Sequence, residues 1–122
     1  MELQIIGGDF SVCKVADCAQ VDFTRAFVFV AKTDEEVSLV CETACVPPNA
    51  LAHEAGWRAL RVSGVLDFGM VGVIAQISAV LAAAHISVFV VSTYNTDYVL
   101  MKAGDFDRGV QALYGQKIFE AR

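Results

Sequence analysis

From Met70 to Val91 the chain carries no lysine, arginine, aspartate or glutamate, and such a stretch is long enough to cross a bilayer. How it folds decides the class of the whole protein. Gln76, Ser78, His85 and Ser87 interrupt it, and its texture changes at Ile86 from Ala-rich to β-branched and aromatic. That change predicts a helix joined to a strand in a soluble domain, with a transmembrane span as the competing reading. The helix is expected from about Phe68 to Ala84, with Asp67 as its N-cap, because a carboxylate accepts orphan backbone N–H bonds and suits the positive helix end. Met70, Val73, Ile74, Ile77, Val80, Leu81 and Ala84 fall on one face. Gly72, Ala75, Gln76, Ser78, Ala79, Ala82 and Ala83 fall on the others, so the helix is large against small rather than apolar against polar. Two readings of the small side stand: close packing on another helix or subunit, or exposed alanines chosen for helix propensity.

The flanking segments extend the pattern. Trp57 to Gly64 alternates as a strand. Ile86 to Ser92 and Asp97 to Lys102 form a hairpin around Thr93-Tyr94-Asn95-Thr96, Asp105 to Leu113 reads as a second helix, and Lys117-Ile118-Phe119 as a final strand. This is the β-α-β-β-α-(β) order of the split βαβ, ferredoxin-like plan. The amino-terminal half is strand-rich. Glu2 to Ile6 and Asp9 to Val15 are expected as short strands parted by a Gly7-Gly8 break, and Ala26 to Ala31 as a central strand buried on both faces. Val37 to Glu42 closes a hairpin over the Thr33-Asp34-Glu35-Glu36 turn. Leu51 to Gly56 is expected as a helical turn, and Val46-Pro47-Pro48-Asn49 marks the boundary between an amino-terminal half, 1–50, and a carboxy-terminal domain, 57–122.

Composition removes several functions. Nine basic residues against 14 acidic ones give a net charge of −5 with no Lys/Arg cluster, so the phosphate-neutralising surface that nucleic acids require is missing. An anionic membrane surface is disfavoured for the same reason. The amino terminus has no basic n-region leading into an apolar segment, and a cytoplasmic protein is expected. Cys13, Cys18, Cys41 and Cys45 are spaced C-x4-C and C-x3-C. Free thiols, a four-thiolate zinc site and disulfide or redox chemistry are the three readings, with the first expected because Cys13 and Cys41 sit in strand-like runs. No nucleophile elbow, zincin or phosphate-loop pattern occurs, and Gly69-Met70-Val71-Gly72 lacks the spacing of a dinucleotide fingerprint. His85, at the end of the long helix, is expected to be structural. Neither an enzyme nor a cofactor is expected.

The positive case is for a binding site, and it rests on the helix start. A helix start leaves backbone N–H groups unpaired at the positive end of the dipole, where a carboxylate can sit. Gly69 and Gly72 permit close approach. Asp67 or Asp97 can accept from an ammonium, Ser92, Thr93 and Asn95 add hydrogen bonding, and Tyr94 adds an amphipathic wall. On spacing alone, a capped helix and an ordinary polar hairpin loop explain the same residues.

The stretch R-V-S-G-V-L-D-F-G-M-V-G-V-I-A, followed by A-H-I-S-V-F-V-V-S-T-Y-N-T-D-Y-V-L-M-K, resembles the ACT domain. It is most similar to the subgroup shared by small bacterial ACT proteins and the CASTOR-type cytosolic arginine sensors. The resemblance covers Trp57 to Leu113, and S-T-Y-N-T-D-Y-V-L is its most specific element. F-S-V-C-K-V and E-V-S-L-V-C resemble the companion half of the same small proteins, as a degenerate ACT-like unit. The resemblance implies an α+β, ferredoxin-like βαββαβ fold and amino-acid binding at an interface between ACT units. By position it assigns the ligand to the loop Asp67, Phe68, Gly69, Met70, Val71 and Gly72 and to the hairpin residues Ser92, Thr93, Tyr94 and Asp97. It implies a non-enzymatic sensor or regulatory module, and the Ala-rich side of the long helix makes a homodimer the expected way to complete a second half-site. A ligand-free module that uses ACT surfaces only for assembly is the alternative.

Overall fold

A computed structural model describes residues 2–62 and 72–116. The chain divides into two units, one formed by Met1–Gly7 with Arg58–Arg122 and the other by Gly8–Trp57. Two long strands, β1 (Leu3–Val15) and β4 (Ala50–Val62), contribute to both.

In the first unit, β4 is followed by α1 (Val73–Ala83), β5 (Phe89–Ser92), β6 (Asp97–Lys102) and α2 (Ala103–Tyr114). The hydrogen-bonded order is β1-β4-β6-β5, with β5 and β6 antiparallel from Phe89↔Leu100 to Ser92↔Asp97. The β-α-β-β-α part of the split βαβ plan is therefore present, while the expected last strand, 117–119, lies outside the described residues. The place beside β4 is taken by β1, from the other end of the chain. Ile77 and Leu81 of α1, and Phe106, Val110 and Leu113 of α2, bury against Leu3, Leu60, Val62, Val99 and Met101. Full burial of one such side chain contributes about 1.5–3 kcal/mol. Gly109 lets α2 approach closely, since a Cβ there would stand 2.4 Å from Met101 Sδ and 3.3 Å from Leu81 Cδ2.

The α1 helix starts later than the sequence implies. Its N-cap is Gly72, in the left-handed conformation at φ +87° and without a side-chain cap bond, while Asp67, the expected cap, lies outside the described residues. The apolar periodicity and the true start differ because the left-handed φ, which glycine adopts freely, fixes where the helix begins. Its far end is closed by His85 at φ +59°. The His85 N–H donates to Ala82 and the Ile86 N–H to Leu81, at 3.0 and 2.9 Å, a Schellman closure with Ile86 and Leu81 both in the core. Arg108 also donates to the Ala84 carbonyl, placing a cation at the negative helix end. The apolar stretch thus splits into an 11-residue helix and a strand, and no described helix is long and apolar enough to cross a membrane.

The second unit comprises the remainder of β1 and β4 with β2 (Phe29–Lys32), β3 (Val37–Glu42) and a 3-10 turn at Thr43–Cys45. Its order is β2-β3-β1-β4, and it has no α-helix. Three expectations are corrected here. Gly7-Gly8 does not interrupt β1, because Gly8 continues the strand with φ +100°. Residues 26–31 are not a central buried strand, since β2 lies outermost in its unit and is exposed beyond Phe29. Leu51 to Gly56 is strand rather than a helical turn, so pairing with a neighbouring strand overrides local propensity. The hairpin over Thr33–Glu36 forms as expected, β2 pairing with β3 from Phe29↔Val40 to Lys32↔Val37.

Cys13, Val15, Leu39 and Cys41 form the buried centre of this unit, with Val21, Val28, Val37, Cys45, Val46 and Ala50 packed around it. All four cysteines are free thiols. The Cys13 and Cys41 thiols share a hydrogen bond, and burial pushes the Cys13 thiol up and Cys41 to about 12. Both behave as small core hydrophobes.

Two outcomes are expected. Gly109→Val should lower the unfolding free energy by about 1–3 kcal/mol through overpacking against Met101 and Leu81, measurable by denaturant titration. For Cys41 the folded thiol ionises at about 12 against an ordinary 9.0, so its share of stability is complete below about pH 9. It should be lost as pH rises toward 12 and the unfolded thiol ionises preferentially. A denaturation midpoint that falls over this window, less steeply in Cys41→Val, checks the sign.

Candidate functional site

The β5–β6 tip in the first unit is built from its backbone outward. Ser92 and Asp97 are the last cross-strand pair. Beyond them the chain turns through Thr93-Tyr94-Asn95-Thr96, where the Thr93 N–H donates to the Thr96 carbonyl at 2.8 Å and the Thr93 hydroxyl donates to the same oxygen at 3.0 Å. Threonine suits this position because its hydroxyl supplements the main-chain bond that closes the turn. Thr96 is buried, and its hydroxyl donates to the carbonyl of Val62, the last residue of β4. A buried hydroxyl and a carbonyl at a strand end each require a partner, and each supplies the other's. The tip is therefore fastened at the end of the unit where β4 runs into residues 63–71.

Around this frame the side chains differ in exposure. Ser92, Thr93 and Asn95 are exposed, and Tyr94 is 81% exposed, a large amphipathic ring in solvent. Asp97 and Tyr98 are half-buried. On the neighbouring strand, Arg61 donates to the Tyr98 hydroxyl at 3.1 Å and to Gln4 Oε1 at 2.6 Å, with its guanidinium 5.7 Å from the Tyr98 ring centre. Three adjacent strands are laced at their polar positions by these contacts, next to Asp97.

Of the ten residues that the sequence nominates, the structure brings Ser92, Thr93, Tyr94 and Asp97 together on one hairpin tip. Gly72 is exposed at the start of α1, with open space where a Cβ would point. Asp67, Phe68, Gly69, Met70 and Val71 lie outside the described residues. Thr96 and Arg61 are the contributors that sequence reasoning missed. A threonine in a polar turn carries no sign that it points inward, and Arg61 was legible only as one alternating strand residue. His53 and His85 are both exposed, and among the described residues no three metal-ligating side chains group together. A separate apolar depression lies along the helices, lined by Ala79, Val80, Ala83, Ala84, Ala112 and Gln116.

Chemically, the tip offers hydroxyl donors and acceptors, one carboxylate and an aromatic wall on a fixed hairpin. These are groups that recognise a small polar ligand.

Comparison with known proteins agrees on the architecture. The human cytosolic arginine sensor for mTORC1 subunit 1 is 46% identical over 46 residues, which is 37% of this chain and 14% of that protein; the bovine protein matches equally. The chain thus spans only a small part of these curated relatives. Among solved structures, protein Atu0741 of Agobacterium tumefaciens superimposes with a TM-score of 0.85 at 25% identity, covering 99% of this chain and 91% of that one. Aspartate kinase of Clostridium acetobutylicum, described as an allosteric enzyme, superimposes with a TM-score of 0.63 at 16% identity over 93% of this chain and 33% of its own. The ACT-domain family model matches residues 52–115, which takes in most of β4, the hairpin tip and both helices, so the chain is a member of the ACT domain family with the ferredoxin-like fold that goes with it.

Proposed function

We propose that the protein is a non-enzymatic regulatory module that binds a free amino acid through its ACT domain. The observation that carries this reading is the fastened β5–β6 tip, with Ser92, Thr93, Tyr94 and Asp97 displayed at the end of the unit where β4 leads toward the α1 start. In this reading the ligand's ammonium meets Asp97. Its carboxylate meets backbone N–H groups in the segment Asp67 to Gly72, where Gly69 and Gly72 leave the backbone uncovered. Ser92 and Thr93 add hydroxyl contacts, and Tyr94 walls the side chain of the ligand.

The second unit is read as a degenerate ACT-like half, 1–50 in the sequence division, alongside the domain at 57–122. Support comes from a repeat in the two hairpins. Phe29–Lys32 and Val37–Glu42 recur sixty positions later as Phe89–Ser92 and Asp97–Lys102, and Thr33 closes its turn on the Glu36 carbonyl as Thr93 does on Thr96. A 3-10 turn follows the first hairpin where α2 follows the second. A homodimer through the small-residue side of α1, in the cytoplasm, completes the reading. The ligand acts by binding one arrangement of the dimer better than another, since only differential affinity can shift such an equilibrium.

Arginine is the first ligand to try, because the curated relatives are named as arginine sensors. In a thermal-shift screen of the amino acids, a specific ligand at a hundredfold excess over its Kd should add about 2.7 kcal/mol of stability. Asp97→Ala and Gly69→Leu should each abolish the shift while leaving the unliganded melting curve cooperative. If no amino acid stabilises the wild type, the sensor reading fails and an assembly module remains.

A further inference from the structure

We infer that Thr96 is the positioning residue of this site: its buried hydroxyl, by holding the Val62 carbonyl, sets the hairpin tip against the strand end that leads into the loop, and ligand affinity depends on that bond. The inference rests on the amino-acid reading above.

Three observations lead to it. Among the described residues Thr96 is one of two buried polar ones, at 7% exposure, although it belongs to a hairpin turn whose other three members are exposed. A turn residue that points inward has a reason to do so. Next, the same residue is a junction, because its carbonyl receives both Thr93 bonds while its hydroxyl reaches Val62, 34 positions away in sequence. The four hairpin candidates, Ser92, Thr93, Tyr94 and Asp97, flank Thr96 on both sides, so any shift at Thr96 moves them all.

The third observation is a built-in comparison. At the matching position of the β2–β3 turn stands Glu36, whose carbonyl accepts from the Thr33 N–H at 2.9 Å and from its hydroxyl at 3.4 Å. Its side chain is exposed and accepts from Ser38 Oγ at 3.0 Å, within the same hairpin. Among the described residues, no hydrogen bond ties this turn to a preceding strand. In the β5–β6 hairpin the tie is an addition to a turn that does not need it. It serves the relation between tip and strand end rather than the turn itself. A ligand that touches both sides of that relation gains from finding them already set, because ordering them on binding would subtract from affinity.

The test is isothermal titration calorimetry well below the melting temperature, with arginine and then the other free amino acids. Wild type is compared with Thr96→Val, which keeps the shape and loses the hydroxyl, and Thr96→Ser, which keeps the hydroxyl. Thr96→Val should weaken Kd about tenfold, equivalent to about 1.4 kcal/mol, and Thr96→Ser should stay within about twofold of wild type. Equal Kd values for wild type and Thr96→Val overturn the inference and leave the amino-acid reading standing. Failure of Thr96→Ser to restore affinity overturns it as well, since the hydroxyl would not be what matters. No binding by wild type overturns both. Should Thr96→Val not fold, Thr96→Ala takes its place. If neither folds, the hydroxyl is a requirement for folding rather than for positioning, and the inference falls.

Discussion

Strands β1 and β4 each have to serve two units, and much of the structure answers to that constraint. A strand that serves two units must keep its hydrogen bonds along its whole length, since unpaired backbone groups are costly when buried. Both strands carry a glycine with positive φ close to the point of transfer, Gly8 at +100° in β1 and Gly56 at +86° in β4. Positive φ is strained for residues that bear a Cβ and free for glycine. Isolated glycine inside a strand marks a bulge or bend, and here two of them allow long strands where two short ones are expected from the Gly7-Gly8 pair.

The constraint also explains which parts of the fold were legible. Where local pattern and tertiary role agree, the sequence is a good guide: the Val37–Glu42 and Asp97–Lys102 strands, the two hairpin turns and α2 all sit where their periodicity places them. Where a residue's role is set by a distant neighbour, the pattern misleads. Leu51-Ala52-His53-Glu54-Ala55 reads as helix former but is held extended in β4. Ala26 to Ala31 reads as a central strand because it is apolar, yet only its end enters β2, on the outside of its unit. The α1 start moved to Gly72 because a left-handed φ, invisible to hydrophobic periodicity, decides where the helix begins.

The candidate site divides along the same line. Its hairpin residues could be named from composition alone, because hydroxyls, an amide and a carboxylate cluster at a turn. Its organisation could not. The bond from Thr96 to Val62 joins residues 34 apart, and the lacing of Gln4, Arg61 and Tyr98 joins three strands. Spacing reports what lies along one element, whereas these contacts are made across elements.

The two turns share a closure made wholly by threonine and the main chain, and this separates the shape of the tip from its chemistry. Asp34, Glu35 and Glu36 occupy one tip and Tyr94, Asn95 and Thr96 the other. The first presents three carboxylates to solvent and repels any anion that approaches. The second, on an equivalent backbone, presents an aromatic ring and an amide with no charge until Asp97. One scaffold thus displays two electrostatic surfaces in the same chain, and exchanging the middle residues of a tip changes what it attracts without asking the hairpin to fold differently.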